Sequence, residues 1–353
     1  MRPRGQNLDA MSSSCLRNCV FTLVLILGLY KLKYSEKSTQ RSFKVREDRW
    51  CSDSKFDFAD RDDKRRIDSR VTHLRKTCES KKEFNYYGPT TYTFVLDVKN
   101  KLYGCIPLKS ASTAIRLWWW RLWHPDMSNS HFFENVEWNE PLKRHIVQNK
   151  ALLRMLRQGD KSERILVVRH PAVRFWSAWN QKFLKEPEQK IGQYICKGVT
   201  GLTKECEANV KNESETHLVS FESFAREFAM NNCITSLGDC NAMKVWNEHW
   251  GVQAEMCQVC GTNFTMIMKA ETLNADMKYL YTKRPDFNKT NFPCTAAAPN
   301  GTLKSEMTGF DLIKNVYSSV PREIRAKIFN FYRNDFDLFN YKWNIETNEV
   351  EIE

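Results

Sequence analysis

The 353-residue sequence predicts an α/β fold, a mainly parallel sheet flanked by helices, carried behind a single N-terminal membrane anchor. Three observations lead there. Short apolar runs of strand length alternate with longer segments of helical spacing. Two of the strand-to-helix junctions carry a basic residue beside small side chains or proline. One apolar run near the N-terminus stands apart from the rest of the chain. Recurring apolar runs and 12% aromatic residues exclude an intrinsically disordered chain, and the lone long apolar run excludes a polytopic membrane protein.

Residues 1–18 read as a cytoplasmic tail and 19–34 as a signal anchor. The apolar core, Cys19 to Tyr30, is shorter than the about 17–25 residues of an ordinary span, but thin early-secretory membranes accept short anchors. A cleaved signal peptide would want a small-x-small site, whereas Lys31-Leu32-Lys33-Tyr34-Ser35 follows. Flanking charge does not orient the segment, because Arg2, Arg4 and Arg17 precede it and Lys31, Lys33 and Lys37 follow. The rest of the chain does. Four N-x-S/T sequons, at Asn212, Asn263, Asn288 and Asn300, accompany ten Cys downstream of the anchor. Together they indicate an oxidising, glycosylating lumen rather than a cytosolic enzyme with buried thiols. The layout is that of a single-pass type II Golgi membrane protein.

Residues 35–85 are polar and charge-dense, as in Asp60-Arg61-Asp62-Asp63-Lys64-Arg65-Arg66, and read as a luminal stem, partly helical or disordered. Residues 86–353 read as the globular luminal domain. Thr91 to Val98 alternates like a strand, and Leu102 to Ile106 is a short buried-strand run. A loop of small residues follows, Lys109-Ser110-Ala111-Ser112-Thr113, and then an apolar helix, Ala114 to Trp123. Pro141 to Gln158 has helical spacing and opens with Pro. Ile165 to Val168 is a second buried strand, followed by Arg169-His170-Pro171 and a helix through Phe183. Phe264 to Met268 is a third strand, and Pro321 to Tyr332 a last helix.

The order strand, small-residue loop with Lys, helix suits an anion. Helix N-terminal N–H groups and the helix dipole favour negative charge, small side chains let the backbone approach, and Lys109 adds a mobile cation. No Walker A motif is present. The second junction, Arg169 to Ser177 (RHPAVRFWS), repeats the theme: Arg169 can fork onto a phosphate, and Ser177 lies about two turns into the following helix. Taken singly, each loop could equally be a capped structural junction.

These segments resemble the two cofactor loops of the sulfotransferases. Pro107-Leu108-Lys109-Ser110-Ala111-Ser112-Thr113 is similar to the 5′-phosphosulfate loop, P-K-x-G-S/T-S/T, with Leu108 inserted and Ala111 in place of Gly. Arg169-His170-Pro171-Ala172-Val173-Arg174-Phe175-Trp176-Ser177-Ala178 resembles the 3′-phosphate element, R-[DE]-P-x-x-R-x-x-S-A, with His170 at the acidic position. Asn247-Glu248-His249-Trp250, Cys257-x-x-Cys260 and Lys269-Ala270-Glu271-Thr272-Leu273 resemble a block of the Golgi carbohydrate sulfotransferases acting on chondroitin, dermatan and related glycans. Tyr332 to Tyr341 resembles that family's closing block, with Asn340 for Gly. The likeness spans about residues 95–341.

The resemblance implies a sulfotransferase fold and transfer of a sulfuryl group from 3′-phosphoadenosine 5′-phosphosulfate (PAPS) to a hydroxyl of a glycan, with a chondroitin-like glycosaminoglycan as the expected acceptor and no metal. Lys109 would stabilise charge on the leaving oxygen, as in other in-line transfers of this kind. Ser110, Ala111, Ser112 and Thr113 would line the 5′-phosphate, and Arg169 and Ser177 the 3′-phosphate. His249 is the candidate base that takes the acceptor proton, with His145, His170 and Glu271 as alternatives. His249 could equally be a core residue beside Trp250.

Cys257 and Cys260 lack a second C-x-x-C for zinc and a thioredoxin-like setting for redox work, so a structural disulfide is expected, local or to other partners. Trp118, Trp119, Trp120 and Trp123 could stack on a sugar, but core packing is the better reading for most of them. A glycosyltransferase would show a metal-binding D-x-D after a strand. Asp335-Phe336-Asp337 instead follows a late helix. A Golgi glycosyltransferase of type II topology and a luminal glycan-binding protein without catalysis are the two alternatives. Residues 1–31 hold four Lys/Arg and one Asp, which leaves +9 of the net +12 on the luminal part; the basic residues are spread widely, so this surplus is at most a guide for an acidic glycan and is otherwise a solvated basic surface. A luminal body excludes nucleic acid as a partner; a homodimer is left open.

Overall fold

The computed structural model describes residues 61–81, 93–97, 100–124, 162–184, 196, 200–212, 214–230, 249–287 and 309–351. The expected tail, anchor (19–34) and 141–158 helix, along with His145, Asn247, Glu248, Asn288 and Asn300, lie outside them. Among the described residues no helix is long and apolar enough to cross a membrane.

Among the described residues the sheet has four strands in the order β1-β2-β3-β4: Phe94–Asp97, Leu102–Cys105, Glu163–Val168 and Met266–Lys269. β1 is antiparallel to β2, while β2, β3 and β4 run parallel, with Cys105 opposite Leu166 and Leu166 opposite Ile267. Three apolar runs thus became the parallel strands, which are buried on both faces as crossover-covered strands must be. Side-chain alternation divides the core in two. Leu102, Ile165, Val167, Met266 and Met268 face α2 (Ser112–Trp123) and α7 (Leu273–Lys283). Tyr103, Leu166, Val168 and Ile267 face the opposite side, where Phe175 of α3 (Pro171–Lys182) packs within 6.2 Å of Phe221, Phe224, Phe228 and Tyr332. Gly104 is needed for the first layer, since a Cβ there would stand 2.7 Å from the Trp119 ring.

Residues 61–80, inside the stretch read from sequence as a stem, form a helix, α1 (Arg61–Ser80), that lies against β4, α7 and α10 (Arg333–Phe339). Charge density hid its apolar stripe. Ile67, Val71 and Leu74, spaced by four and three, are buried on one face. Arg66 and Arg70 reach buried Asp276 at 3.2 and 2.8 Å, and Cys78 is disulfide-bonded to Cys260. The folded body therefore takes in residues ahead of the expected boundary at 86. Both cysteines of the C-x-x-C bond to distant partners, Cys257 to Cys105 at the end of β2, and a third disulfide joins Cys196 to Cys206 of α4 (Thr200–Lys211). The remaining α-helices among the described residues are α5 (Phe221–Met230), α6 (Gln253–Met256), α8 (Gly309–Ser318) and α9 (Arg322–Phe331), and a two-stranded ribbon joins β5 (Lys342–Trp343) to β6 (Val350–Glu351).

Candidate active site

Because β2 and β3 are adjacent and parallel, their C-terminal ends open side by side, and the two basic loops leave from the same edge. This is where α/β sheets bind ligands. The first loop, 106–111, ends at α2. Lys109 and Ala111 both have left-handed backbones, φ 69° and 59°, and Ala111 is the residue preceding the helix. Such a conformation costs a non-glycine residue about 1–2 kcal/mol, so the surrounding bonds must hold it. They do so from the second loop. Arg169 Nη1 donates to Lys109 O at 3.1 Å, and the fully buried Arg174 donates through Nε to Leu108 O at 2.8 Å and through Nη1 to Gly251 O at 2.6 Å.

Gln253, at the start of α6, completes the frame. Its Oε1 accepts from Ser110 Oγ at 2.7 Å and from Arg169 N at 3.0 Å, while its Nε2 donates to Arg169 O at 2.9 Å. Asp335 in turn accepts from Gln253 N and Ala254 N at 2.9 and 2.8 Å. Both Asp335 oxygens are thus held by main-chain N–H groups, and Asp337 pairs with Lys81 at 2.8 Å, which is no metal-binding D-x-D arrangement. The Ser110 hydroxyl, expected to hold phosphate, is turned inward to Gln253 and is fully buried. Ser112 and Thr113 begin α2, where the first-turn N–H groups lack helical partners. Ser177 is partly exposed on α3.

The site is cationic. Burial, then the charges of Lys182, Arg169 and Arg174, hold the Lys109 ammonium down at about 7. His249 is buried, and burial followed by Lys182, Lys109, Arg174 and Arg116 lowers it to about 2, so its ring is neutral. The same neighbours acting on both groups put His249 in the electrostatic surroundings of Lys109. His170 and Glu271 are otherwise employed. His170 is fully buried between Phe336 and Tyr341, its Nε2 lies 3.2 Å from Lys342 O, and burial lowers it to about 3. Glu271 accepts from His170 N at 2.7 Å and from Tyr341 OH at 2.9 Å. Trp118, Trp119 and Trp120 are buried in the core rather than presented to solvent, and Trp123 donates to Asp97 at 2.7 Å. Two sequons can be located: Asn212 and Asn263 are both exposed, with Asn212 Oδ1 accepting from Ser214 Oγ at 2.7 Å and Asn263 Oδ1 from Arg75 at 3.1 Å.

Sequence reasoning found both loops and His249 but missed Gln253, Arg174, Lys182 and Arg116. Only Arg174 left a signal, as the second Arg of the R-x-x-x-x-R stretch. Gln253 bonds side chains and main chain 84 and 143 residues away, which no local pattern reveals.

Comparison with known proteins agrees with this geometry. The sulfotransferase family model matches residues 92–342, a range that contains both loops, His249 and Gln253. Mouse carbohydrate sulfotransferase 10 is 24% identical over 189 residues, covering 51% of this chain and 47% of the relative. Rat carbohydrate sulfotransferase 11 is 24% identical over 181 residues (50% and 46%), and Xenopus laevis carbohydrate sulfotransferase 12 is 26% identical over 218 residues (61% and 47%). The chain spans about half the length of the curated relatives it matches. No solved structure matches it. With the family model covering well over half of its length, this chain belongs to the sulfotransferase family.

Proposed function

We propose that the protein is a carbohydrate sulfotransferase that moves a sulfuryl group from PAPS to a glycan hydroxyl. The observation that carries this reading is the pair of basic loops held against each other at the ends of two parallel strands, Arg169 bonded to the Lys109 carbonyl at 3.1 Å. The donor set fits a doubly anionic nucleotide. Burial first, and then the charges of Lys182, Arg169 and Arg174, lower the proton affinity of Lys109, so an anion seated beside these cations would offset their mutual repulsion. Ser112, Thr113, the first-turn N–H groups of α2 and Lys109 would hold the 5′-phosphosulfate. Ala111 and the inward-turned Ser110 shape that loop, and Arg169 with Ser177 would hold the 3′-phosphate.

When bound, PAPS supplies the sulfuryl group and departs as the bisphosphate. Lys109 keeps a cation where negative charge develops on the leaving oxygen, which costs no reorganisation at the moment of transfer. His249 is kept neutral and takes the acceptor proton. Its low basicity is partly the work of Lys109 and Lys182, so anionic charge beside those two ammonium groups raises its affinity for a proton. A carbohydrate acceptor is supported by the names of the carbohydrate sulfotransferase relatives, and its reading as a chondroitin-like glycosaminoglycan rests on the sequence blocks around His249 and Tyr341 and on the surplus of basic residues. A luminal Golgi location behind the 19–34 anchor is supported by the three disulfides among the described residues and by four sequons. The test is binding and transfer side by side. Lys109→Ala and Arg169→Ala should abolish transfer from labelled PAPS while leaving glycan retention on a heparin or chondroitin column intact. Unchanged transfer in both would overturn the reading, and a protein that retains glycan but never transfers would be a lectin.

A further inference from the structure

We infer that Gln253 is a positioning residue that sets the distance between the two phosphate-binding loops. The inference rests on the donor site proposed above and concerns a residue outside both loops. Its side chain is fully buried and makes four hydrogen bonds: Ser110 Oγ at 2.7 Å on the first loop, Arg169 N at 3.0 Å and Arg169 O at 2.9 Å on the second, and Asp335 Oδ2 at 3.3 Å behind. One amide thus closes a paired bond with the whole main-chain unit of Arg169 and at the same time anchors the residue after Lys109. A primary amide suits this place, because the task needs two acceptor lone pairs and two N–H donors from one planar group. A carboxylate could not donate to Arg169 O and would face Asp335, and an alkyl group would leave Ser110 and Arg169 N without their acceptor.

The amide itself is held from the other side. Asp335 binds Gln253 N and Ala254 N, and the Cys105–Cys257 disulfide ties α6 to the end of β2. The residue is therefore fixed to the sheet, and the two loops are fixed to it. Gln253 touches the loops through Ser110 and the Arg169 main chain, so its influence falls on the separation of the two anion sites, not on either site alone.

This separates a positioning role from a merely structural one. A ligand that engages both sites feels the loop spacing, and a ligand that engages one does not. The probes are adenosine 3′,5′-bisphosphate against adenosine 5′-monophosphate and adenosine 3′-monophosphate, titrated calorimetrically into the full chain. Gln253→Ala should weaken the bisphosphate by about tenfold or more and each monophosphate by less than about threefold, a split between one- and two-site ligands. Equal losses for all three nucleotides, or no loss for the bisphosphate, would overturn the inference. Where Gln253→Ala fails to fold, Gln253→Met, similar in length and volume, carries the same comparison. Failure of the underlying reading looks different: the wild-type chain itself would not bind the bisphosphate.

Discussion

Replacing Arg174 with Lys should destabilise the protein while keeping its net charge. Arg174 is fully buried on α3, and its guanidinium forks onto Leu108 O at 2.8 Å and Gly251 O at 2.6 Å. A lysine ammonium on a flexible stem reaches one of these carbonyls at best. The lost bond is charge-assisted, and the orphaned carbonyl is desolvated, so the expected cost is about 1.5–3 kcal/mol. Urea unfolding followed by tryptophan emission should show the midpoint falling with an unchanged slope. Because Leu108 directly precedes Lys109, the same variant should raise the KM for PAPS more than it lowers kcat. A loss under about 0.5 kcal/mol would refute the view that this arginine clamps the first loop.

Three further outcomes follow from the same structure. His170 is lowered to about 3, so the folded form binds fewer protons than the unfolded chain, and stability present above the ordinary value of 6.5 is lost as pH falls. His170→Gln should therefore shrink the difference in unfolding free energy between pH 7 and pH 5 by about 2 kcal/mol, at about 1.4 kcal/mol per pH unit; an unchanged difference contradicts the burial of a neutral ring. The Cys78–Cys260 loop encloses the Cys105–Cys257 loop, so with the inner bond intact the outer one closes only a short additional circuit. Cys78→Ser with Cys260→Ser should cost about 3–4 kcal/mol in the chain-entropy account and release α1 to proteolysis; no gain in protease sensitivity would show that α1 docks without it. Lys109, held down at about 7, is largely uncharged in the free protein at pH 8. Binding of the bisphosphate at pH 8 should then take up close to one proton, measured by calorimetry in buffers of different ionisation enthalpy, and Lys109→Arg should abolish the uptake.

What the sequence made legible was whatever its local pattern encodes. Ile165 to Val168 and Leu102 to Ile106 read as buried strands because parallel strands covered on both faces are continuous apolar runs, and they formed the centre of the sheet. Pro171 marked the start of α3 because it belongs in a first helical turn. The two basic loops could be placed at strand ends for the same reason. The α1 segment reads as stem because its sequence is dominated by charge, and its buried partners Asp276 and Cys260 lie far away in the chain. Within the site, the direction of a side chain was the hidden quantity. Ser110 and His170 look as available as Ser112 and His249 in the sequence, yet Ser110 bonds to Gln253 and His170 is enclosed by Phe336 and Tyr341. Those roles come from tertiary hydrogen bonds, which short-range periodicity does not encode.

Whether these two loops carry sulfuryl transfer is tested most directly by a transfer assay with the full chain. Labelled PAPS is offered with chondroitin, dermatan, heparan and neutral glycans, for wild type and for Lys109→Ala. Label should appear on at least one glycan, with chondroitin or dermatan preferred, and fall by about 10²-fold or more in Lys109→Ala, the order of losing one preorganised stabiliser of developing charge. Folded wild-type protein that labels none of these glycans, or a Lys109→Ala variant as active as wild type, would contradict sulfuryl transfer by these loops.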